Sequence, residues 1–393
     1  MTTEIFCEIL GDVREEFVLE AWEIQNTRNV KKQWILRLSA IAAVLCMLVG
    51  GGMLYRHLHG KEELPMLTLG ELLSDGMGFE GLIYRDASEL NAGRYDPLAQ
   101  GQNEFSTLPV YQNKSCVLST KGIPVGLDTE EMQQRLERAA AIMGISTDRR
   151  RQETVSHVVY RIYAEEGGVR IYSDIDGTIG VVFQDGMELP EQYHFTGEET
   201  TEEEAREVII YLIEQYSKLF AFAQPEIALE GDRDIYGRYH RTYKVYDASG
   251  NAEQQLLNFY FHSADFNLDD EGKLRSIRIQ DALAVAEKIG DYPIITEEEA
   301  RQKLFGGDYL TTVPYPLQGE AAVVMTQLVY RDSRMEENYL PYYRFYVELP
   351  EDTFESEALA NGLKQYGAYY VPAVSEDYLS KGGKSGPMSM YFQ

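Results

Sequence analysis

Apolar positions follow three different patterns along the chain. Between Thr3 and Asn26, Phe6, Ile9, Leu10, Val13, Phe17, Ala21 and Ile24 recur at three- and four-residue steps, the period of one helix face. The other face is acidic. A lone helix of this length has no core of its own on which to bury the stripe, so Phe6, Ile9, Leu10, Val13 and Phe17 are expected to dock on a protein partner or a second copy, the acidic face arguing against the membrane surface. From Leu38 to Tyr55 the period disappears and no residue is charged. With Trp34 to Arg37 this run approaches the ~20 residues that a bilayer core requires, which predicts one transmembrane helix over 34–55. Arg28, Lys31, Lys32 and Arg37 on its N-terminal side outnumber Arg56 and Lys61 beyond it, so the expected topology is N-terminus cytoplasmic and C-terminal domain extracellular.

Beyond Lys61 helical and two-residue periods alternate. In "LDTEEMQQRLERAAAIMG", Thr129 is a candidate N-cap, Met132, Leu136 and Met143 share a face, and Gly144 is a stop. The hexapeptide "TEEEAR" then occurs twice, at 201–206 and 296–301. In each copy Thr and the third Glu have capping-box spacing, Thr201 with Glu204 and Thr296 with Glu299. Three successive carboxylates there complement the positive end of a helix and do not form an acid–base pair. Each helix precedes β-rich sequence with turn signals such as "EEGG" and "DIDG". The expected fold class is α+β, in which two to three tandem units each pack a capped helix on antiparallel strands. The boundaries read as a cytosolic helix over 1–33, the membrane span over 34–55, a tether containing "MGFEG" over 56–125, and units over 126–190, 191–290 and 291–393. "TLPVYQN" reads as an extended edge because Pro109 lacks an N–H.

Composition narrows the function classes. The 393 residues carry a formal charge of -28, so nucleic acid is not an expected partner. Cys7, Cys46 and Cys116 fall in three different compartments of the expected topology, so a disulfide framework is not expected. No catalytic, metal or cofactor motif emerges. "NLDDEGK" matches the start of a calcium loop at Asn267, Asp269 and Glu271, but Arg278 stands where the closing Glu belongs, and the stretch reads as a β-turn. Tyrosine is abundant, with Tyr342, Tyr343, Tyr346, Tyr366, Tyr369 and Tyr370 crowded together; strand tyrosines are the simpler reading of that crowd, a binding surface the alternative.

The opening "ILGDVREEFVLEAW", the run "AIAAVLCMLV", and the later "DGMGFEGLIYRDASEL" and "TLPVYQN" resemble uncharacterised single-pass, anti-sigma-like membrane proteins of Clostridia-type Gram-positive bacteria. The alternation of capped helix and strands resembles PepSY-like modules. What this resemblance implies is an extracytoplasmic sensor or regulator whose cytosolic helix binds a partner such as a sigma factor. A zinc-type anti-sigma domain is not implied, since Cys7 is the only cysteine and no histidine occurs in residues 1–33. The alternative is an envelope-anchored binding module or a cell-wall-acting enzyme with no signalling role.

Overall fold

Both expected capping boxes are present in the computed structural model of the chain, which describes residues 64–69, 81–85, 95–99, 105–116, 121–193, 195, 200–234, 236–269, 271–333, 336–350 and 361–380. Glu204 donates its backbone N–H to Thr201 Oγ1 at 3.2 Å, and Thr201 returns its own N–H to Glu204 Oε2 at 2.8 Å. Thr296 and Glu299 repeat the exchange at 3.2 and 2.7 Å. The first helix is capped one residue earlier than expected. Asp128 takes the Glu131 N–H at 2.8 Å, because a carboxylate at that position reaches the third helical N–H while Thr129 is already inside the turn.

The elements in chain order are β1 (Leu82–Arg85), β2 (Thr107–Asn113), α1 (Thr129–Met143), β3 (Arg151–Val155), β4 (Val158–Glu166), β5 (Val169–Asp174), β6 (Ile179–Met187) and α2 (Glu202–Phe220). There follow β7 (Pro225–Arg233), β8 (Tyr239–Asp247), α3 (Ala252–Phe261), β9 (His262–Leu268), β10 (Leu274–Asp281) and β11 (Ala286–Pro293). The last are α4 (Glu297–Gly306), β12 (Val323–Tyr330), β13 (Asn338–Tyr339), β14 (Pro341–Glu348) and β15 (Lys364–Pro372).

Strands β3–β6 form a meander after α1, and β7–β10 form a second one after α2, interrupted by α3. The two meanders do not build separate sheets. Their last strands, β6 and β10, pair antiparallel from Ile179↔Ile279 to Val182↔Ser276, giving the order β7-β8-β9-β10-β6-β5-β4-β3. Topologically this is an approximate two-fold arrangement of two helix-plus-four-strand units about the β6–β10 seam. Both helices press on one face: Met132, Leu136 and Ala140 of α1 and Val208, Ile209 and Leu212 of α2 share a core with Ile162, Ile171, Val181, Val245, Ala264 and Ile277.

Strand β1 continues the sheet. It pairs with β15 over Leu82–Arg85 and touches β7 through one register pair, Tyr84↔Arg233, so that β12-β14-β15-β1 extends the first eight strands into a sheet of twelve. Arg85, 2% exposed, donates from Nη2 to the Gly231 carbonyl and ties the junction. A second sheet of three strands has the order β11-β2-β13. Strands β14 and β15 are buried on both faces. Phe345, Val347, Tyr369 and Val371 meet Ala300 and Leu304 of α4, while Tyr342, Tyr346, Tyr366 and Tyr370 face a cluster with Val110 and Tyr292 of the small sheet. Burial on both faces accounts for the crowd of tyrosines, since such strands read as unbroken apolar and aromatic runs.

These observations correct the expected fold class. The described residues are mostly β, and the units share one sheet because an unpaired final strand would expose a row of N–H and C=O groups that β6 and β10 satisfy in each other. The amphipathic helix expected over 1–33 and the membrane helix expected over 34–55 lie outside the described residues. Among the described residues no helix is long and apolar enough to cross a membrane. The reading of "TLPVYQN" as an edge is also corrected: β2 is the central strand of its sheet. Pro109 is tolerated there because β13 reaches only Tyr111 and Gln112, while the Pro109 carbonyl accepts the Tyr330 hydroxyl at 2.7 Å. Helix α3 falls within the β-rich sequence expected after the second capped helix, where no helix is expected.

Asp247 closes the entry to β7 against the end of β8, accepting the backbone N–H groups of Ala223, Gln224 and Ser249, each at 3.0 Å. Burial pushes its pKa up, but these N–H donors outweigh that and hold it below the usual carboxylate range. Asp247→Asn is therefore expected to cost about 2 kcal/mol at neutral pH, as loss of charge-assisted bonds does. With a folded pKa below the unfolded one, the contribution is present above the unfolded value and is lost as pH falls through the folded value. Urea denaturation should show the variant converging on the parent in acid; a gap that stays constant as pH falls would contradict this.

Candidate binding cleft

Helix α1 carries its core stripe on one side and Glu131, Gln134, Arg135, Arg138 and Ile142 on another, spaced by three or four residues so that they line up along one edge. That edge overlooks the β6–β10 seam. The last turn of α2, Lys218 to Ala221, approaches from the other unit, and Ile179, Ile279, Asp281 and His262 lie between them. Together they enclose a cleft of about 380 Å³, within the range of small-ligand sites.

Its polar side has two parts. Arg135 is already committed: Nη1 donates to Asp281 Oδ2 at 3.0 Å and to the Gly177 carbonyl at 3.3 Å. Asp281 Oδ1 lies 3.9 Å from His262 Nδ1, and the His262 ring meets Phe222 edge-on with centroids 5.1 Å apart. Arg138 and Lys218 are different. Both are exposed, both line the cleft, and neither meets a carboxylate within ion-pair distance among the described residues. Three cations face two carboxylates, so this cleft carries an excess of positive charge in a chain whose total is -28. The apolar side is Ala139, Ile142, Ile179, Ile279, Leu219 and Phe220. Ile142 is 39% exposed, an apolar side chain next to cations.

Backbone carbonyls complete the chemistry. Helix α2 ends at Ala221, whose N–H returns to the Ser217 carbonyl at 2.7 Å, and the carbonyls that follow in the last turn carry the negative end of the helix dipole. Lys218 offsets that charge. The arrangement can bind an anion and an apolar group side by side.

The partner-docking residues expected from sequence, Phe6, Ile9, Leu10, Val13 and Phe17, lie outside the described residues. Among the described residues no group of three or more His, Cys, Asp or Glu side chains could hold a metal. "NLDDEGK" is a turn in which Asp269 Oδ1 accepts the N–H groups of Glu271 and Lys273 at 3.0 and 2.8 Å. The cleft itself was not legible in sequence. From sequence only the apolar face of α1 is named, and the signal passed over is the basic pair Arg135 and Arg138 near Ile142 on an otherwise acidic chain. No protein family matches the chain, and no curated protein matches it significantly.

Proposed function

We propose that this protein is a membrane-tethered regulator whose folded body lies outside the cell membrane and binds a small ligand, while its N-terminal segment holds a cytosolic protein such as a sigma factor. The observation that carries the reading is the position of the cleft on the seam of two similar units, lined by both. A ligand there contacts α1 and the end of α2 at once, so its binding free energy depends on how the units meet, and it shifts their arrangement by that differential affinity. The rest of the support is in the sequence. The uncharged run at 38–55 is flanked by basic residues on its N-terminal side, and residues 56–63 alone separate it from the compact unit that starts at Leu64.

The test is affinity capture of the full-length protein from detergent-solubilised membranes of its own host, parent against Phe17→Ala. The apolar stripe is the docking element, so Phe17→Ala should weaken a captured partner by about 2 kcal/mol, as loss of a buried aromatic anchor does, and Glu16→Gln should leave it unchanged. A partner held equally by both forms would sink the regulator reading and favour an envelope-anchored binding module.

A further inference from the structure

The geometry points to a ligand class for the cleft: we propose that it binds a small amphipathic carboxylate, with the carboxylate between Arg138 and Lys218 and the apolar body over Ile142, Ile179 and Ile279. The inference rests on the ligand-binding half of the proposal above and is independent of what the N-terminal segment holds.

Three features select this class. Arg138 and Lys218 come from different units and carry charge that nothing among the described residues neutralises by an ion pair, whereas Arg135 is fixed by Asp281 and Gly177. A carboxylate placed between them gains two charge-assisted contacts. Ile142, 39% exposed beside them, and the partly exposed Ile179 of β6 gain burial only if the ligand also has an apolar part, while Ile279 of β10 is already buried beneath them. A bare inorganic anion would satisfy the cations but leave this floor wet. A purely apolar ligand would strip water from Arg138 and Lys218 without giving either a partner, which opposes binding. The volume of about 380 Å³ admits a body of several carbons with room for water at the mouth.

The experiment is calorimetric titration of the full-length protein in lipid nanodiscs with hexanoate, acetate and inorganic phosphate, with protein-free nanodiscs to subtract partition into lipid and an Arg138→Gln/Lys218→Gln form as the test variant. Hexanoate should bind saturably and about tenfold tighter than acetate, the gain expected from partial burial of its extra methylenes. The double variant should lose about tenfold or more in hexanoate affinity. Its melting temperature without ligand should fall only slightly, since both side chains are exposed and only the contact of Lys218 with the α2 dipole is lost. A third form, Ile142→Ser, should lose hexanoate binding and keep any residual binding of acetate. Absence of saturable hexanoate binding, equal binding by the double variant, or preference for phosphate over hexanoate would each overturn the assignment. Binding as expected with partner capture insensitive to Phe17→Ala would keep the ligand class and remove the regulator reading; the converse pair of results would do the opposite.

Discussion

Arg331→Met is expected to destabilise the folded body by about 3–5 kcal/mol, the cost of leaving a buried charge without its partner. The Arg331 and Glu336 side chains are 6% and 8% exposed, and Arg331 Nη1 donates to Glu336 Oε1. The guanidinium also lies 5.8 Å from the Tyr342 ring centroid and 6.0 Å from that of Tyr370. The segment is held at its backbone as well: Asn113 Nδ2 donates to the Glu336 carbonyl at 2.8 Å, and the Asn113 N–H to that of Glu337 at 2.9 Å. Thus the pair joins the end of β12 to β2, with the backbone that carries the carboxylate fixed on Asn113. Burial pushes the Glu336 pKa up, and Arg331 pulls it part of the way back. A folded pKa above the unfolded value means that ionisation opposes folding, so this term favours the folded state more as pH falls through the folded pKa. Removing Arg331 should steepen that dependence. Urea denaturation at neutral and mildly acidic pH reads both effects. Adding Glu336→Gln to Arg331→Met should recover a substantial part of the loss, because the orphaned charge goes with it. If Arg331→Met alone matches the parent at neutral pH, the pair is not buried as described.

Gly126→Ala should cost more than about 3 kcal/mol, because it combines backbone strain with a clash that nothing flexible can relieve. Its φ is +155°, and a Cβ there would lie 2.1 Å from the Ile175 carbonyl oxygen, 3.0 Å from its carbon and 3.3 Å from Val285 Cγ1. That oxygen also accepts the Leu127 N–H at 2.8 Å, so moving it away unpairs the residue just before the Asp128 cap of α1. Gly144→Ala supplies the comparison. It also has positive φ, +70°, but a Cβ there meets nothing within 4 Å, and its cost should stay near 1 kcal/mol. Thermal melts of the two variants should rank in that order by a wide margin; equal losses would show that the Ile175 contact is not limiting.

Sequence and structure agree where the cause is local. Thr201 with Glu204 and Thr296 with Glu299 sit three residues apart, and no distant residue is needed to make that exchange. At α1 the same reasoning missed by one residue, since Asp128 and Thr129 are both competent caps and only the backbone path decides between them. Helix α3 failed for a different reason. Asn251 accepts the Gln254 N–H at 2.8 Å in an ordinary cap, but Phe259, Tyr260 and Phe261 resemble the strands on either side. They stay helical because Leu256, Leu257 and Phe261 fill a core with Leu108, Tyr330 and Tyr339, all remote in sequence.

By itself, then, the sequence determined the starts of α2 and α4, the turns between neighbouring strands, the apolar run near the N-terminus and the acidic character of the chain. All of these depend on residues within a few positions or on simple sums. Tertiary structure decided that the units share one sheet, that β1 stitches the last four strands to the rest, and that β2 is central despite Pro109. It alone decided the cleft. Arg138 and Lys218 are 80 positions apart in number, and Asp281 and His262 belong to strands that could have formed a sheet of their own. They meet because β6 and β10 satisfy each other's open edges, and edge pairing is a choice between distant partners that no local pattern encodes.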